Sequence, residues 1–324
     1  MKKKDGITRR QFLSTSLGAT AAGVLLAGKA LGQKKGEQAP PDGKGPCLIL
    51  LGTGGGPRPN KLRNQSAWVV VVNKIPYVVD CGGGVSRQLV MANIPLTSLR
   101  HIFITHHHSD HNLEYGPLVY NAWVSGFKGR IDSWGPPPLE RITRSFFEAN
   151  AYDIDIRIPD EGRPPLVPMV ASHEIAKEGL VMEDDQVKVT AALVHHPPVV
   201  PSYAYRFDTP GRSIVFSGDT TPSDNLVKLA QGADVLVHEV INKEALSRLM
   251  ARVPNAERLV NHIVASHTTR EEVGIVAKKA GVKTLVLTHF VPSDDASITD
   301  DMWIEPARAS FSGRIIAGKD LMEI

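Results

Sequence analysis

Near the start of the chain, apolar and polar positions alternate in short runs. Cys47 to Leu51, Ser66 to Val72 and Ile75 to Val79 are apolar or β-branched stretches cut by Gly, Pro and Asn, the pattern of strands joined by turns. Val85 to Ala92 predicts a helix, His101 to Thr105 a buried strand, and Leu113 to Val124 an amphipathic helix. Ile131 to Ser133 reads as a further strand, followed by Gly135-Pro136-Pro137-Pro138 and a helical pattern to Ala149. The Pro-rich stretch from Ile158 to Pro168 is expected to be irregular. Strands resume at Val187 to Val194, Tyr203 to Phe207, Ser213 to Phe216 and Val235 to Val237. Helices are expected at Pro222 to Ala230, Lys243 to Ala251 and Arg270 to Ala280. Thr284 to Leu287 is a last buried strand before a C-terminal helix and hairpin.

Strands come first, then alternate with helices, and the second half repeats the habit. The pattern predicts an α/β protein, an αββα sandwich of two mixed β-sheets with helices on the outer faces. No repeat of solenoid or propeller length is visible. A chain of 324 residues, 42% hydrophobic, can bury a core without covalent staples. Its two cysteines, Cys47 and Cys81, cannot form a disulfide framework and are expected as buried free thiols.

The first residues change the picture of charge. Met1-Lys2-Lys3-Lys4 is basic, Thr8-Arg9-Arg10-Gln11-Phe12-Leu13 follows, and Leu17 to Gly28 is a mild apolar run. This outline resembles a twin-arginine export signal. The run falls short of the roughly 20 apolar residues a spanning helix needs, so no stable membrane anchor is expected. The expected organisation is a signal over residues 1–32, a flexible Lys/Gly/Gln/Pro-rich leader over 33–46, and one domain over 47–324. Export would involve the twin-arginine machinery and place the protein in the periplasm or outside the cell. Removing residues 1–32 takes six of the 37 Lys+Arg and one of the 34 Asp+Glu, leaving 31 basic against 33 acidic residues and a net charge of −2. The sequence pI of about 8.8 therefore gives no support for a nucleic-acid-binding surface.

The densest chemistry is Thr105-His106-His107-His108-Ser109-Asp110-His111, between a buried strand and a helix. On extended backbone His106 and His108 point the same way and His107 away, while Asp110 and His111 come round at the turn. Imidazole and carboxylate donors suit Zn²⁺ best, with Mn²⁺ or Fe²⁺ as alternatives. The bland reading is a solvated loop with Asp110 as a helix cap.

These residues match the H-x-H-x-D-H motif, and the chain resembles the metallo-β-lactamase fold superfamily. Leu51-Gly52-Thr53-Gly54-Gly55-Gly56-Pro57 and Val79-Asp80-Cys81-Gly82 are similar to turns of its ribonuclease Z and arylsulfatase-like branch. His195-His196-Pro197-Pro198 with Ser202-Tyr203-Ala204-Tyr205-Arg206 resembles the third ligand region, Ser217-Gly218-Asp219-Thr220 the bridging-aspartate turn, and Leu287-Thr288-His289-Phe290 the last metal histidine. Only one of His195 and His196 can face the site, and the offset to Tyr203 favours His196. Asp219 could instead cap the Pro222 helix, and His289 could be a core histidine.

The resemblance implies a hydrolase with two divalent ions. His106, His108 and His196 would hold one ion, Asp110, His111 and His289 the other, with Asp219 between them. Asp110, His267 and Glu239 are the candidate catalytic residues. His267-Thr268-Thr269 and Val237-His238-Glu239 resemble family segments in which a glutamate orients a general-acid histidine. A helix cap is the alternative for His267. Asp80 is expected to accept a hydrogen bond near the metals or to hold a turn. His101, His173, His238 and His262 are treated as structural or surface residues, and the pocket wall is expected from Asn112 to Gly126 and from the middle of the chain between Gly135 and Pro168. Export and near-neutral mature charge favour a small-molecule phosphoester, sulfate ester or carboxylic ester as substrate, with no nucleic acid expected. The alternatives are a ribonuclease Z-like phosphodiesterase acting on nucleic acid and a non-catalytic metal- or ligand-binding protein on the same fold. Whether the chain forms a homo-oligomer stays open.

Overall fold

The computed structural model describes residues 45–250 and 256–324. The signal expected at residues 1–32 and most of the leader lie outside the described residues. β1 (Cys47–Gly52), β2 (Ala67–Val72) and β3 (Ile75–Val79) are buried along almost their whole length. Alternate side chains leave opposite faces of a strand, so continuous burial means that both faces are covered. Leu48 and Leu50 face the opposite sheet, whereas Ile49 and Leu51 face helices.

α1 (Val85–Met91), β4 (His101–Phe103), the single turn α2 (Ser109–Asn112), α3 (Tyr115–Val124) and β5 (Ile131–Gly135) follow. Then come α4 (Leu139–Ala149), α5 (Ala151–Glu161), β6 (Val170–Glu174), β7 (Gly179–Glu183), β8 (Lys188–His196), β9 (Val199–Thr209) and β10 (Arg212–Phe216). The chain continues through α6 (Asp224–Leu229), β11 (Val235–Ile241), α7 (Lys243–Met250), α8 (Ala256–Ser266), α9 (Arg270–Ala280), β12 (Thr284–Val291), α10 (Asp300–Arg308), β13 (Arg314–Ala317) and β14 (Met322–Glu323).

Two seven-stranded sheets result, ordered β14-β1-β2-β3-β4-β5-β6 and β13-β12-β11-β10-β9-β8-β7. Each is mixed. β3 to β6 pair in parallel and β1 to β3 antiparallel, while β10 to β13 are parallel and β7 to β10 antiparallel. Between the sheets Trp68, Tyr77 and Phe103 pack against Tyr205, Phe207 and Phe216. α1 and α3 cover the outer face of the first sheet, and α6, α9 and α10 that of the second. The αββα sandwich expected from the pattern is the observed architecture. β8 and β10 both run antiparallel to β9, and β10, β11 and β12 run parallel, so these four strands end at one edge. Ligand sites in α/β sheets lie beyond such carboxyl ends.

Three local expectations fail for identifiable reasons. The stretch expected to be irregular begins inside α5, which tolerates Pro159 and ends at Gly162 with φ 66°. Arg157 pairs with Asp153 and Glu161, four residues away on either side, which supports the helix. The expected C-terminal hairpin is absent: β13 joins β12 in one sheet and β14 joins β1 in the other. Burial of Ile315 and Ala317 against the helix layer decides the first placement, and backbone bonding between Ile324 and Leu48 the second. α3 spends Tyr115, Leu118, Val119, Ala122 and Trp123 on the core and so cannot wall a pocket with them. Cys47 and Cys81 are free and buried, as expected. Among the described residues no helix is long and apolar enough to cross a membrane.

α9 and α10 meet at Gly274, where a Cβ would overlap the Ala307 carbonyl oxygen. Backbone cannot retreat as a side chain tip can. Gly274→Ala should lower stability by about 1–3 kcal/mol, read as a lower urea midpoint with unchanged slope; an unchanged midpoint would contradict this packing.

Candidate metal centre

β4 ends at Phe103, the chain bends at Thr105, and the backbone is extended again at His108 before α2 begins. His107 turns away, donating from Nε2 to the Pro136 carbonyl at 2.7 Å and accepting from Asn112 at 2.9 Å. His106 Nε2 and His196 Nε2 each lie 3.1 Å from His108 Nδ1. Two nitrogens on a tetrahedral zinc with bonds of ~2.0–2.1 Å stand about 3.3 Å apart, so this tripod is sized for one ion. His195 is exposed, and His196 is the residue turned inward.

The second group adjoins it. His289 Nε2 lies 3.4 Å from Asp110 Oδ2, and His111 Nε2 lies 3.7 Å from the same oxygen. Asp219 touches both groups: Oδ2 is 3.7 Å from His106 Nε2, 3.8 Å from His196 Nε2 and 3.1 Å from His289 Nε2, and Oδ1 is 3.3 Å from His111 Nε2. The ligand atoms of His106, His108, His196 and Asp219 converge, as do those of Asp110, His111 and His289. Each group could hold a divalent cation.

Neighbouring groups aim these ligands. The Thr105 hydroxyl donates to Asp80 and so accepts from His106 Nδ1, 3.0 Å away. His196 Nδ1 donates to the Ser266 carbonyl at 2.9 Å, and His111 Nδ1 to Asp80 at 2.7 Å. With each Nδ1 engaged, each Nε2 is left for the centre. Asp80, expected either near the metals or in a turn, does both: it also accepts from the Thr105 amide and holds φ at 59°. His289 has φ 46°, a second left-handed position at the site, and such positions cost of order 1–3 kcal/mol each. The glycine turn after β1 serves the same cluster. Gly56 N–H donates to Asp110 at 2.7 Å, and a Cβ on Gly55 would stand 2.6 Å from the His289 ring.

Electrostatics explains what this cluster lacks. Burial opposes charge on His111, yet Asp219, Asp80 and Asp110 together hold its pKa well above the usual histidine range. For His289 burial is likewise outweighed, chiefly by Asp219, and the pKa is pushed up to about 10. Asp219 is held well below the carboxylate range against its own burial by His111 and His289. Burial takes His196 down to about 4 and His106 well below its ordinary value. Buried carboxylates thus demand positive charge that two protonated imidazoles supply. Among the buried atoms without a hydrogen-bond partner are His111 Nε2, His289 Nε2 and Asp219 Oδ1. Unpartnered donors that converge on one point fit divalent cations.

Beside the cluster, His267 Nδ1 lies 3.1 Å from Glu239 Oε1, which also accepts from the Thr220 and Thr268 amides. The cap expected as the alternative for His267 belongs to Thr269, which forms a capping box with Glu272. His101 stacks on Tyr77 at 4.7 Å, His173 pairs with Asp132 at 2.7 Å, and His238 is buried. His262, expected as a structural or surface residue, is partly exposed, and its ring stands 6.5 Å from that of His108. Its spacing from Leu259, Ile263 and Ser266 along one helix face is the signal that could have found it. On the Gly55–Gly56 side of the centre, Gly55 to Asn60, Leu259, Ile263 and Val291 to Asp294 line a cavity of about 180 Å³.

Residues 77–290 match the family model described as "Beta-lactamase superfamily domain". Among curated proteins, the chain is 33% identical over 280 residues to a ribonuclease Z of Mycobacterium bovis, covering 86% of this chain and 97% of that one. Among solved structures, it resembles the metallo-β-lactamase fold protein YhfI from Bacillus subtilis at 20% identity (TM-score 0.63, 87% and 99% of the two chains). It also resembles the short form of human tRNase Z at 23% identity (TM-score 0.62, 86% and 98%). The curated relatives overturn the expectation of a small-molecule ester substrate and no nucleic acid. That expectation rested on the export signal and on a net charge summed over the mature sequence. Such a sum says nothing of the cleft, where cations held by His and Asp would themselves face phosphate.

Metal binding needs neutral imidazole nitrogens, whereas the raised pKa values of His111 and His289 keep both protonated at pH 7 in the metal-free protein. Zinc must therefore displace protons, and its affinity must fall as pH falls. Titrating the metal-free protein with Zn²⁺ at pH 7 in buffers of different ionisation enthalpy should show release of about two protons per chain; zinc uptake with no proton release would contradict this charge balance.

Proposed function

The chain belongs to the beta-lactamase superfamily domain family, and from that premise we propose that it is a ribonuclease, a phosphodiester hydrolase acting on RNA. Membership makes it a metal-dependent hydrolase of ester bonds. The observation that carries the finer reading is the 33% identity to ribonuclease Z along 86% of the chain. His106, His108 and His196 would hold one divalent ion and Asp110, His111 and His289 a second, with Asp219 reaching both. Imidazole and carboxylate donors in this number favour Zn²⁺. When bound, the ions supply Lewis-acid charge that acidifies water and draws off the negative charge of the phosphodiester.

The chain's own residues do the rest. Asp110, held by the Gly56 amide, keeps its carboxylate fixed at the second group. Glu239 holds His267 by Nδ1, which leaves Nε2 as the atom that protonates the departing ribose oxygen. Asp80 and Ser266 fix the rings of His111 and His196, so the ligands need no reorganisation when substrate enters. A ligand role competes for His267, because its nitrogen, Asp219 and His289 also converge.

The test separates these roles. The wild-type protein should cleave RNA oligonucleotides and lose that activity on chelation. His267→Ala should lower kcat by about 10²–10⁴-fold while keeping its metal content. Full turnover in the variant would remove the general-acid role, and loss of metal would make His267 a ligand.

A further inference from the structure

α8 presents Leu259, His262, Ile263 and Ser266 on one face, the spacing of three and four residues that stacks side chains along a helix. Its last turn is anchored to the centre, because the Ser266 carbonyl accepts from the metal-facing His196. The Ser266 hydroxyl has one proton, and it donates that proton to the Pro197 carbonyl at 2.5 Å. Toward His262 it can therefore only accept, and His262 Nδ1 lies 3.4 Å away as the donor. Nδ1–H is thereby assigned, and Nε2 of the neutral ring is an acceptor without a partner among the described residues.

The position of this acceptor is specific. His262 stands edge-on to His108, 6.5 Å between ring centroids, and it is partly exposed. His108 is also the one partly exposed residue of its group. Leu259 and Ile263, on the same helix face, border the cavity of about 180 Å³ that Gly55 and Gly56 close from the other side. A lone hydrogen-bond acceptor beside the tripod suits a sugar that carries a hydroxyl, and suits phosphate oxygen badly, because two acceptors repel.

Building on the RNA reading above, we propose that His262 Nε2 accepts a hydrogen bond from the 2′-hydroxyl of the ribose next to the scissile phosphate. His262 is then the residue by which this site distinguishes RNA from DNA.

The experiment is a double-mutant cycle between protein and substrate. Wild-type and His262→Ala holoenzymes, with metal content measured on each, are assayed on an RNA oligonucleotide and on the same oligonucleotide with one 2′-deoxy residue beside the cut. Wild type should lose about five- to tenfold in kcat/KM on the deoxy substrate, the worth of one hydrogen bond. His262→Ala should lose the same factor on RNA and nothing further on the deoxy substrate. His262→Gln, which keeps an acceptor, should restore part of the RNA rate. Equal losses on both substrates would overturn the proposal in favour of a structural or phosphate-facing role, and no loss on either would overturn it outright. If wild type cleaves an aryl phosphodiester but neither oligonucleotide, the RNA reading fails and this inference with it. RNA cleavage without the cycle's coupling sinks this inference alone.

Discussion

Everything at this site depends on four carboxylates, those of Asp80, Asp110, Asp219 and Glu239, being held almost entirely out of water. Removing a carboxylate from water costs several kcal/mol unless an opposite charge or a full set of donors replaces it. The chain surrounds them with His106, His108, His111, His196, His267 and His289, yet the donors do not suffice. Nitrogens and oxygens that could accept a cation are left without partners at the middle of the cluster. In the metal-free protein His111 and His289 carry the compensating charge as protons, and divalent ions are the natural replacement.

The fold exists around that requirement. Two mixed sheets give a stack of aromatic and aliphatic side chains that holds strand ends rigidly at one edge. His196, Asp219, Glu239 and His289 come from the ends of β8, β10, β11 and β12, and the His106 to His111 segment comes from beyond β4 in the other sheet. Ligands from both sheets close one centre, so slippage of either sheet would open it. Strain is stored there too, at Asp80 and His289, and packing on every side maintains it. The α8 face then adds what a bare metal centre lacks, a surface that can tell one sugar from another.

Much of this was legible in the chain, for a physical reason. Ligand sets are carried by short segments whose side-chain direction follows strand alternation, so His106 and His196 could be assigned inward and His107 outward before any geometry was known. Strands buried on both faces announce themselves as β-branched runs, which is why the αββα arrangement was readable. What failed depends on distant packing: α5 forms across Pro159 because ion pairs around Arg157 support it, and β14 leaves β13 for β1. His262 was missed because its meaning lies in a neighbour 154 residues away, His108, and in the direction of one serine proton. The substrate class is not legible in an export signal and a summed net charge, because neither reports the charge inside the cleft.

Anomalous diffraction at the zinc edge, on crystals of the protein loaded with zinc, tests the central claim most directly. The account predicts two peaks per chain, one within the nitrogens of His106, His108 and His196 and one beside Asp110, His111 and His289, with Asp219 between them. A single peak elsewhere, or none at this cluster, would contradict it and leave the buried carboxylates balanced by protons alone.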